Sequence, residues 1–177
     1  MSSDAPIDIV PATVSDAEAI IRVHFAAVHE TAAAQYGPEI LATWSKPISP
    51  TRIERMGRAL AGGKQVIIVA KRDGDVVGFG QLASQEDHVI AVYVHPSAGR
   101  RGVGARLLRR LESLAIEHGS RELHLDASLN AEVFYLRHGY TILERGVHEL
   151  SSGVTMPCVK KQKALDDRTQ DDDASRR

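Results

Sequence analysis

A glycine-rich turn at residues 99–104, with the sequence GRRGVG, has residue types that bind phosphate. An apolar strand pattern enters this turn and an amphipathic helix pattern leaves it, so free backbone amides collect at the helix N-terminus. Glycines at positions 102 and 104 let an anion approach the backbone, and Arg100 and Arg101 add positive charge. A tight turn that binds no ligand would use the same residues, so this pattern alone leaves both interpretations open.

Two familiar phosphate-binding loops do not fit this turn. A Walker loop needs lysine and then serine or threonine after its last glycine, whereas Ala105 and Arg106 follow Gly104. A dinucleotide-binding fingerprint needs a third glycine where Leu107 stands, and it usually follows the first strand rather than the fourth. Asp126 lies at a suitable spacing for a ribose-binding carboxylate, so this second alternative is disfavoured but stays open.

The elements that position the turn alternate between strand and helix patterns. Strands are predicted at residues 7–10, 66–70, 76–82, 89–94, 123–127, 140–150 and 155–163. Helices are predicted after a capping box at Ser15–Glu18, from Ser49 to Gly63, from the glycine turn to Gly119, and at residues 130–138. Residues 37–50, rich in proline, are predicted as a long loop. The pattern predicts one α/β or α+β domain with a mixed sheet and helices on both faces.

Composition excludes several classes of protein. The chain has 177 residues with 43% apolar and 25% charged residues, which is typical of one globular domain. The net charge of −1 argues against nucleic acid as the main partner. The single cysteine excludes an intramolecular disulfide, and no apolar run is long enough for a membrane helix. The first residues do not resemble a signal peptide, so we expect a cytoplasmic protein without a membrane partner.

The end of the chain differs from the rest. Residues 166–177, DDRTQDDDASRR, contain no large apolar side chain, so we predict a disordered acidic tail after a domain at residues 1–165.

Two segments resemble the GCN5-related N-acetyltransferase (GNAT) superfamily. The first is VYVHP at residues 92–96 followed by RGVGARLL at residues 101–108, which is similar to the acyl-CoA loop of that family. The second is LDASLNA at residues 125–131 followed by FYLRHGY at residues 134–140, which resembles its Asn-Ala…Phe-Tyr…Gly segment. The order of elements also fits from about residue 7 to residue 163.

The resemblance implies a twisted, mostly antiparallel sheet of about six or seven strands with about four helices. Acyl-CoA would lie where the strand at residues 89–94 splays from the strand at residues 122–127. Backbone groups of Val92 and Val94 would pair with the pantetheine arm, and the amides of residues 101–105 would hold the pyrophosphate. The implied cofactor-binding residues are Val92, Tyr93, Val94, Arg100, Arg101, Gly102, Val103, Gly104, Ala105, Asn130, Phe134 and Tyr135.

Tyr135 matches the family position whose phenol protonates the departing thiolate in many members. Reference pKa values of about 10 for a phenol and about 8.5 for a thiol make a hydrogen bond or partial proton transfer sufficient. A core aromatic at helical spacing is the alternative interpretation. One departure from the pattern is Gly99, which stands where the family usually has arginine or glutamine, so Arg100 or Arg101 would supply the cation.

The general base is less defined by the resemblance. Some members place a glutamate at the start of the strand that enters the cofactor loop, and His88 occupies that place here. His88 or Glu86 could act as the base, directly or through water, and Glu86 or Asp87 could attract the amine. A polar loop without catalytic function would look the same. Trp44 and Tyr36 lie in the long loop that often lines the acceptor pocket.

The remaining reactive side chains do not form a further site. The eight histidines are scattered without metal-ligand spacing, so we predict no metal. Cys158 lies in an apolar strand and is predicted to be a buried, unreactive thiol.

The sequence therefore predicts an N-acyltransferase that moves acetyl from acetyl-CoA to a primary amine of a small molecule or peptide, by direct attack in a ternary complex. A non-catalytic acyl-CoA-binding or regulatory module is one alternative, and transfer of another acyl group or transfer to a hydroxyl acceptor is another. A homodimer through the last strands is possible in principle but has no sequence signal.

Overall fold

A computed structural model describes residues 5–166 of the chain, and the predicted tail from residue 167 onward lies outside them. The strands are β1 Ile7–Pro11, β2 Val66–Arg72, β3 Asp75–Ala83, β4 His88–Val94, β5 Glu122–Ser128, β6 Thr141–Glu149 and β7 Thr155–Ala164. The helices are α1 Ala17–Ala26, α2 Pro38–Trp44, α3 Pro50–Gly62, α4 Val103–Glu117 and α5 Glu132–Arg137.

The seven strands form one mixed sheet in the order β1-β2-β3-β4-β5-β7-β6. Neighbouring strands are antiparallel except the central pair β4 and β5, which are parallel. The sheet and its helices confirm the predicted fold class, with one helix more than expected.

Helices cover both faces of the sheet. α4 buries Leu107, Leu108 and Leu111 against the strands on one face. On the other face, α1 and α3 pack over a second apolar cluster that includes Ile20 of α1 and Phe79 of β3. The two faces matter for the site because they separate the glycine turn, at the start of α4, from the loop that precedes α3.

The start of α1 uses a different cap from the one predicted. Thr13, rather than Ser15, precedes the first turn, and its amide donates to the Asp16 carboxylate at 2.9 Å. Asp16 also pairs with Lys71 of β2 at 2.7 Å, which fixes this helix to the sheet. The predicted Ser15–Glu18 box is wrong, because the observed box, Thr13–Asp16, lies two residues earlier and Glu18 instead pairs with Arg22 at 2.6 Å.

The segment predicted as a long loop contains a helix, α2. Pro38 stands at its first turn, where proline is favoured, so the residue that suggested a loop starts a helix here. The prediction for α3 is confirmed, because the Ser49 hydroxyl accepts from the Arg52 amide at 3.4 Å and Gly63 ends the helix with a φ of 62°. None of the helices in residues 5–166 has the length and apolarity to span a membrane.

Candidate active site

The two central strands of the sheet separate beside the glycine turn. The register of β4 with β5 holds a single pair, His88 opposite His124, and the His124 amide donates to the Asp87 carbonyl at 2.8 Å. β3, in contrast, remains paired with β4 as far as Val94. One edge of β4 is therefore open beyond His88, as expected from the resemblance.

Val92 and Val94 direct their backbone groups to this open edge. The His95 amide donates to the Val77 carbonyl at 2.8 Å, which identifies a hydrogen-bonded pair of the β3–β4 ladder. Because such pairs alternate along an antiparallel ladder, Tyr93 bonds to β3 while Val92 and Val94 point their N–H and C=O groups away from it. Tyr93, expected among the cofactor-binding residues, thus has its backbone engaged within the sheet.

The glycine turn presents helix amides on the α4 face. Arg100 and Gly102 adopt positive φ angles of 60° and 73°, and α4 begins immediately afterwards. The Arg106 amide donates to the Gly102 carbonyl at 3.0 Å. Three first-turn amides precede this bond, those of Val103, Gly104 and Ala105. Arg100 and Arg101 are exposed beside them, so the turn keeps the predicted combination of amides and cations.

The glycine at position 104 is not required by packing. A Cβ there would lie 3.4 Å from the Phe134 ring and 3.6 Å from Val94, which is ordinary contact. A Cβ at Gly80 of β3 would instead lie 2.9 Å from Leu111 of α4, so that glycine is needed for helix–sheet packing. Packing among the described side chains therefore does not explain the glycine at position 104.

A cavity of about 550 Å³ opens where β4 and β5 separate, and Tyr135 of α5 lines it. The Tyr135 side chain is buried, with 7% of the residue exposed. Burial raises the pKa of Tyr135 above the usual phenol value, and Tyr93 adds to this effect. The phenol is therefore protonated near neutral pH and can donate a hydrogen bond into the cavity.

Three titratable side chains line the same cavity at the start of the gap. The His148 Nδ1 atom of β6 lies 2.9 Å from Asp126 Oδ2 of β5, and His88 is the third member. Burial lowers the pKa of His88, opposed by the Asp126 and Glu86 carboxylates and assisted by His124. His88 is therefore mainly neutral near pH 7 and able to accept a proton.

An aromatic cluster lines the cavity on the α1 face of the sheet. The Trp44 Nε1–H donates to the Tyr93 hydroxyl at 3.0 Å, and Tyr93 stacks on Phe79 with ring centroids 5.4 Å apart. Burial raises the pKa of Tyr93 to about 12. His24 of α1 contacts the same ring edge-on at 4.7 Å. Burial and the nearby Arg52 guanidinium lower the pKa of His24 to about 4, so its ring is neutral at pH 7.

Twelve residues expected in the site lie outside the cavity lining: Tyr36, Glu86, Asp87, Val94, Asn130, Phe134 and residues 100–105 of the glycine turn. The buried Tyr36 hydroxyl donates to the Pro157 carbonyl at 2.7 Å and accepts from the Leu129 amide at 2.8 Å, so it joins two loops instead of facing the cavity. Glu86 and Asn130 are exposed, and Asp87 turns the chain with a φ of 50°. The predicted roles of Tyr36, Glu86 and Asp87 toward the acceptor, and of Asn130 toward the cofactor, stay predictions.

Several side chains that line the cavity belong to no motif that is recognisable in the sequence: His24, Lys46, Arg52, Arg55 and His148. Asp126 was considered only as a ribose ligand. The i,i+3 spacing of Arg52 and Arg55 after the proline that starts α3 does place them on one helix face, which was a usable signal.

Cys158 also lines the cavity, although it is 2% exposed. Burial raises the pKa of its thiol, and the Asp126 carboxylate adds to this effect. A thiolate is therefore disfavoured at this position. Within residues 5–166, no group of three His, Cys, Asp or Glu side chains is arranged to hold a metal ion.

Comparison with solved structures places this fold in a known class. A GCN5-related N-acetyltransferase (Aminotransferase, Class-II) from Rhodopseudomonas palustris superimposes with a TM-score of 0.81 at 28% identity, covering 93% of this chain and 99% of that one. YncA from Salmonella typhimurium, solved with its cofactor acetyl-CoA, superimposes with a TM-score of 0.64 at 24% identity, covering 92% and 96%. The architecture is that of the GNAT acetyltransferases.

Sequence comparison agrees with the fold. The family model for the acetyltransferase (GNAT) domain matches residues 32–156. The uncharacterized N-acetyltransferase YafP of Escherichia coli (strain K12) is 26% identical over 130 residues, which are 73% of this chain and 78% of YafP. The chain belongs to the GNAT acetyltransferase family, which confirms the family and the enzyme class predicted from the sequence.

Proposed function

We propose that this protein transfers an acetyl group from acetyl-CoA to a primary amine by direct attack within a ternary complex. One observation carries the proposal: the strands separate at His88, and the cavity formed there joins the open edge of β4 to Tyr135. The acetyl-CoA held by YncA, which shares the fold, supports this choice of acyl donor.

The open edge of β4 and the glycine turn are the proposed cofactor site. Val92 and Val94 offer backbone N–H and C=O groups that an extended pantetheine arm can pair with as an added strand. The first-turn amides of α4, with Arg100 beside them, suit the pyrophosphate. The absence of a Cβ at Gly104, which packing does not require, would let the pyrophosphate approach these amides closely.

His88 is the proposed general base. An alkylammonium has a reference pKa of about 10.4, so the amine must lose a proton before it attacks. A neutral His88 can take this proton, directly or through one water molecule, while the adjacent Asp126 attracts the ammonium group. The reaction forms a C–N bond and breaks the C–S bond of the thioester, and the nitrogen loses a second proton as the amide forms.

Tyr135 is the proposed hydrogen-bond donor to the departing sulfur. Its raised pKa means that full proton transfer to a thiolate is unfavourable. The phenol instead stabilises the developing negative charge by donating a hydrogen bond inside a buried cavity, where such a bond is strongest. The leaving thiolate then takes up one proton, which balances the second proton lost by the nitrogen, while His88 returns the first proton to solvent.

Two measurements test this function. Calorimetric titration with acetyl-CoA, with adenosine nucleotides as controls, should show micromolar binding that requires the pantetheine arm, since β4 holds that part. Thiol release from acetyl-CoA should then depend on an added amine. A folded protein that fails to bind acetyl-CoA would overturn the proposal, as would binding without amine-dependent release across chemically varied amines.

A further inference from the structure

Three basic side chains form a cationic wall of the cavity: Lys46, between α2 and α3, and Arg52 and Arg55 of α3. Arg52 is partly buried, and the other two are exposed to the cavity and solvent. The acetyl-transfer chemistry proposed above does not explain the cationic wall, because that chemistry needs no positive charge on this face of the sheet.

Acidic side chains do not neutralise the cationic wall. None of the ion pairs within residues 5–166 includes Lys46, Arg52 or Arg55. The Arg52 guanidinium donates instead to the Lys46 carbonyl and to His24 Nδ1 at 3.4 Å. Burial lowers the pKa of Arg52, and the positive charge of Arg55 lowers it further. Two like charges held together beside a cavity create a favourable place for an anion.

The phosphates of the cofactor are not the matching anion. Their proposed site is the start of α4, on one face of the sheet. The arginines of the wall belong to α3, which packs with α1 over the opposite face. The aromatic cluster of Trp44, Tyr93 and Phe79 also lies on that second face, where the acceptor would enter.

The acidic group of the cavity lies elsewhere. Asp126 of β5 is the one Asp or Glu among the described lining residues, and it is held by His148 at 2.9 Å. It stands beside His88, the proposed base. The cavity thus carries negative charge where the amine must lose its proton and positive charge on the α3 side.

We propose that the acceptor is a primary amine that also carries an anionic group, such as a carboxylate or phosphonate, which binds the cationic wall while the ammonium group faces Asp126. Guanidinium groups pair with carboxylate and phosphonate oxygens through two parallel hydrogen bonds, which sets the orientation of the acceptor. This inference rests on the proposed function for the identity of the reaction, but the wall can be tested without turnover.

The binding test uses Trp44, the single tryptophan of the chain, as an internal reporter. Sulfate and methylphosphonate are titrated into CoA-saturated protein, so that the cofactor phosphate site is already occupied, and binding is followed by Trp44 fluorescence and calorimetry. We expect saturable binding that weakens at least about fivefold in Arg55→Gln. Arg58→Gln is the matched control, because Arg58 is on the same helix, pairs with Glu54 and does not line the cavity.

The turnover test compares each amino acid with its own amide, for example L-leucine with L-leucinamide and L-phenylalanine with L-phenylalaninamide. We expect kcat/KM to favour the acids by about tenfold or more, and Arg55→Gln and Lys46→Gln to reduce that ratio mainly by raising KM. Arg52→Gln should act in the same direction, but it also loses the Lys46 carbonyl contact. The affinity for acetyl-CoA should not change in these variants.

The outcomes separate this inference from the proposed function. Equal or better use of the amides would overturn the anionic acceptor while leaving acetyl transfer intact. Thiol release with no amine would overturn acetyl transfer, and the anion titration would still report on the wall. Absence of saturable anion binding by both methods, or equal loss in Arg58→Gln, would overturn the wall as an anion site.

Discussion

His88 on β4 lies opposite His124 on β5, and this one pair is the whole register between the two central parallel strands. Beyond it the strands separate, so the sheet itself creates the gap in which Val92 and Val94 expose their backbone groups. His88 therefore stands at the closed end of the cleft, next to Asp126, and not on an exposed loop. This position is the structural basis for its proposed role as the base.

Replacing Tyr135 by phenylalanine should lower kcat by about 10- to 100-fold, because it removes the hydrogen bond to the departing sulfur and little else. The affinity for acetyl-CoA should change by less than about threefold, since the ring remains in place. Steady-state kinetics with a good amine acceptor and calorimetry check the two parts. Unchanged turnover would contradict the assignment of Tyr135.

Gly104→Ala should weaken acetyl-CoA binding by at least about tenfold while the protein stays folded, because the new Cβ only contacts Phe134 and Val94 at ordinary distances. Gly80→Ala is the contrasting variant. Its Cβ would clash with Leu111 at 2.9 Å, so it should lower the free energy of unfolding by about 1–3 kcal/mol. Calorimetry measures the affinity and urea unfolding measures the stability, so together they distinguish the two effects. A Gly104→Ala protein with normal affinity for acetyl-CoA would argue against the proposed cofactor site at the glycine turn.

The pH profile of kcat/KM should show an acidic limb that reports the protonation of His88. A base must be neutral, so activity falls as the pH drops through its pKa, and burial places that pKa below the usual histidine value near 6.5. Activity attributable to this group should therefore be present at neutral and higher pH and be lost as the pH falls through the lowered pKa. His88→Gln should remove the limb and lower kcat. A wild-type profile whose acidic limb survives in that variant would assign the base to another group.

Cys158 is the only cysteine in the chain, so it is the only residue that could carry an acetyl thioester. Since burial raises the pKa of its thiol, we expect Cys158→Ala to retain kcat within about threefold. Mass spectrometry of the wild-type enzyme during turnover should show no acetylated protein intermediate. An acetyl adduct at Cys158 that forms and decays at the turnover rate would exclude direct transfer.

Lys161→Met should stabilise the protein by about 1–3 kcal/mol. Lys161 is fully buried and its Nζ atom has no hydrogen-bond partner among the described residues. Burial lowers the pKa of Lys161, so its charge is unfavourable in the folded state below that pKa, and the gain from methionine should shrink at alkaline pH. Lys160→Met is the control.

Lys160 is the sequence neighbour of Lys161 and pairs at 2.6 Å with Glu144 on the surface. Its replacement should leave the urea unfolding midpoint nearly unchanged, because an exposed ion pair contributes little to stability. Urea unfolding midpoints measure both variants, and a destabilised Lys161→Met would show that the ammonium group is favourably bound.

The features predicted correctly depend on short stretches of chain. The glycine turn, the helix after it and the Asn-Ala…Phe-Tyr segment are recognisable because their conformation follows from neighbouring residues. Errors arose where two local signals competed. Pro38 indicates a loop but is equally favourable in the first turn of a helix. Ser15 and Thr13 are both suitable helix-capping residues, and the structure uses Thr13.

Contiguous motifs and periodic apolar positions were sufficient to predict the family, the fold class and the helix that follows the glycine turn. Which polar groups meet depends on the tertiary structure. Asp126 and His148 are separated by 22 residues, Trp44 and Tyr93 by 49, and Tyr36 reaches a carbonyl 121 residues away. The cationic wall likewise exists only because α3 packs beside α1 over the cleft, since the pairing of distant side chains is set by helix–sheet packing and not by local spacing.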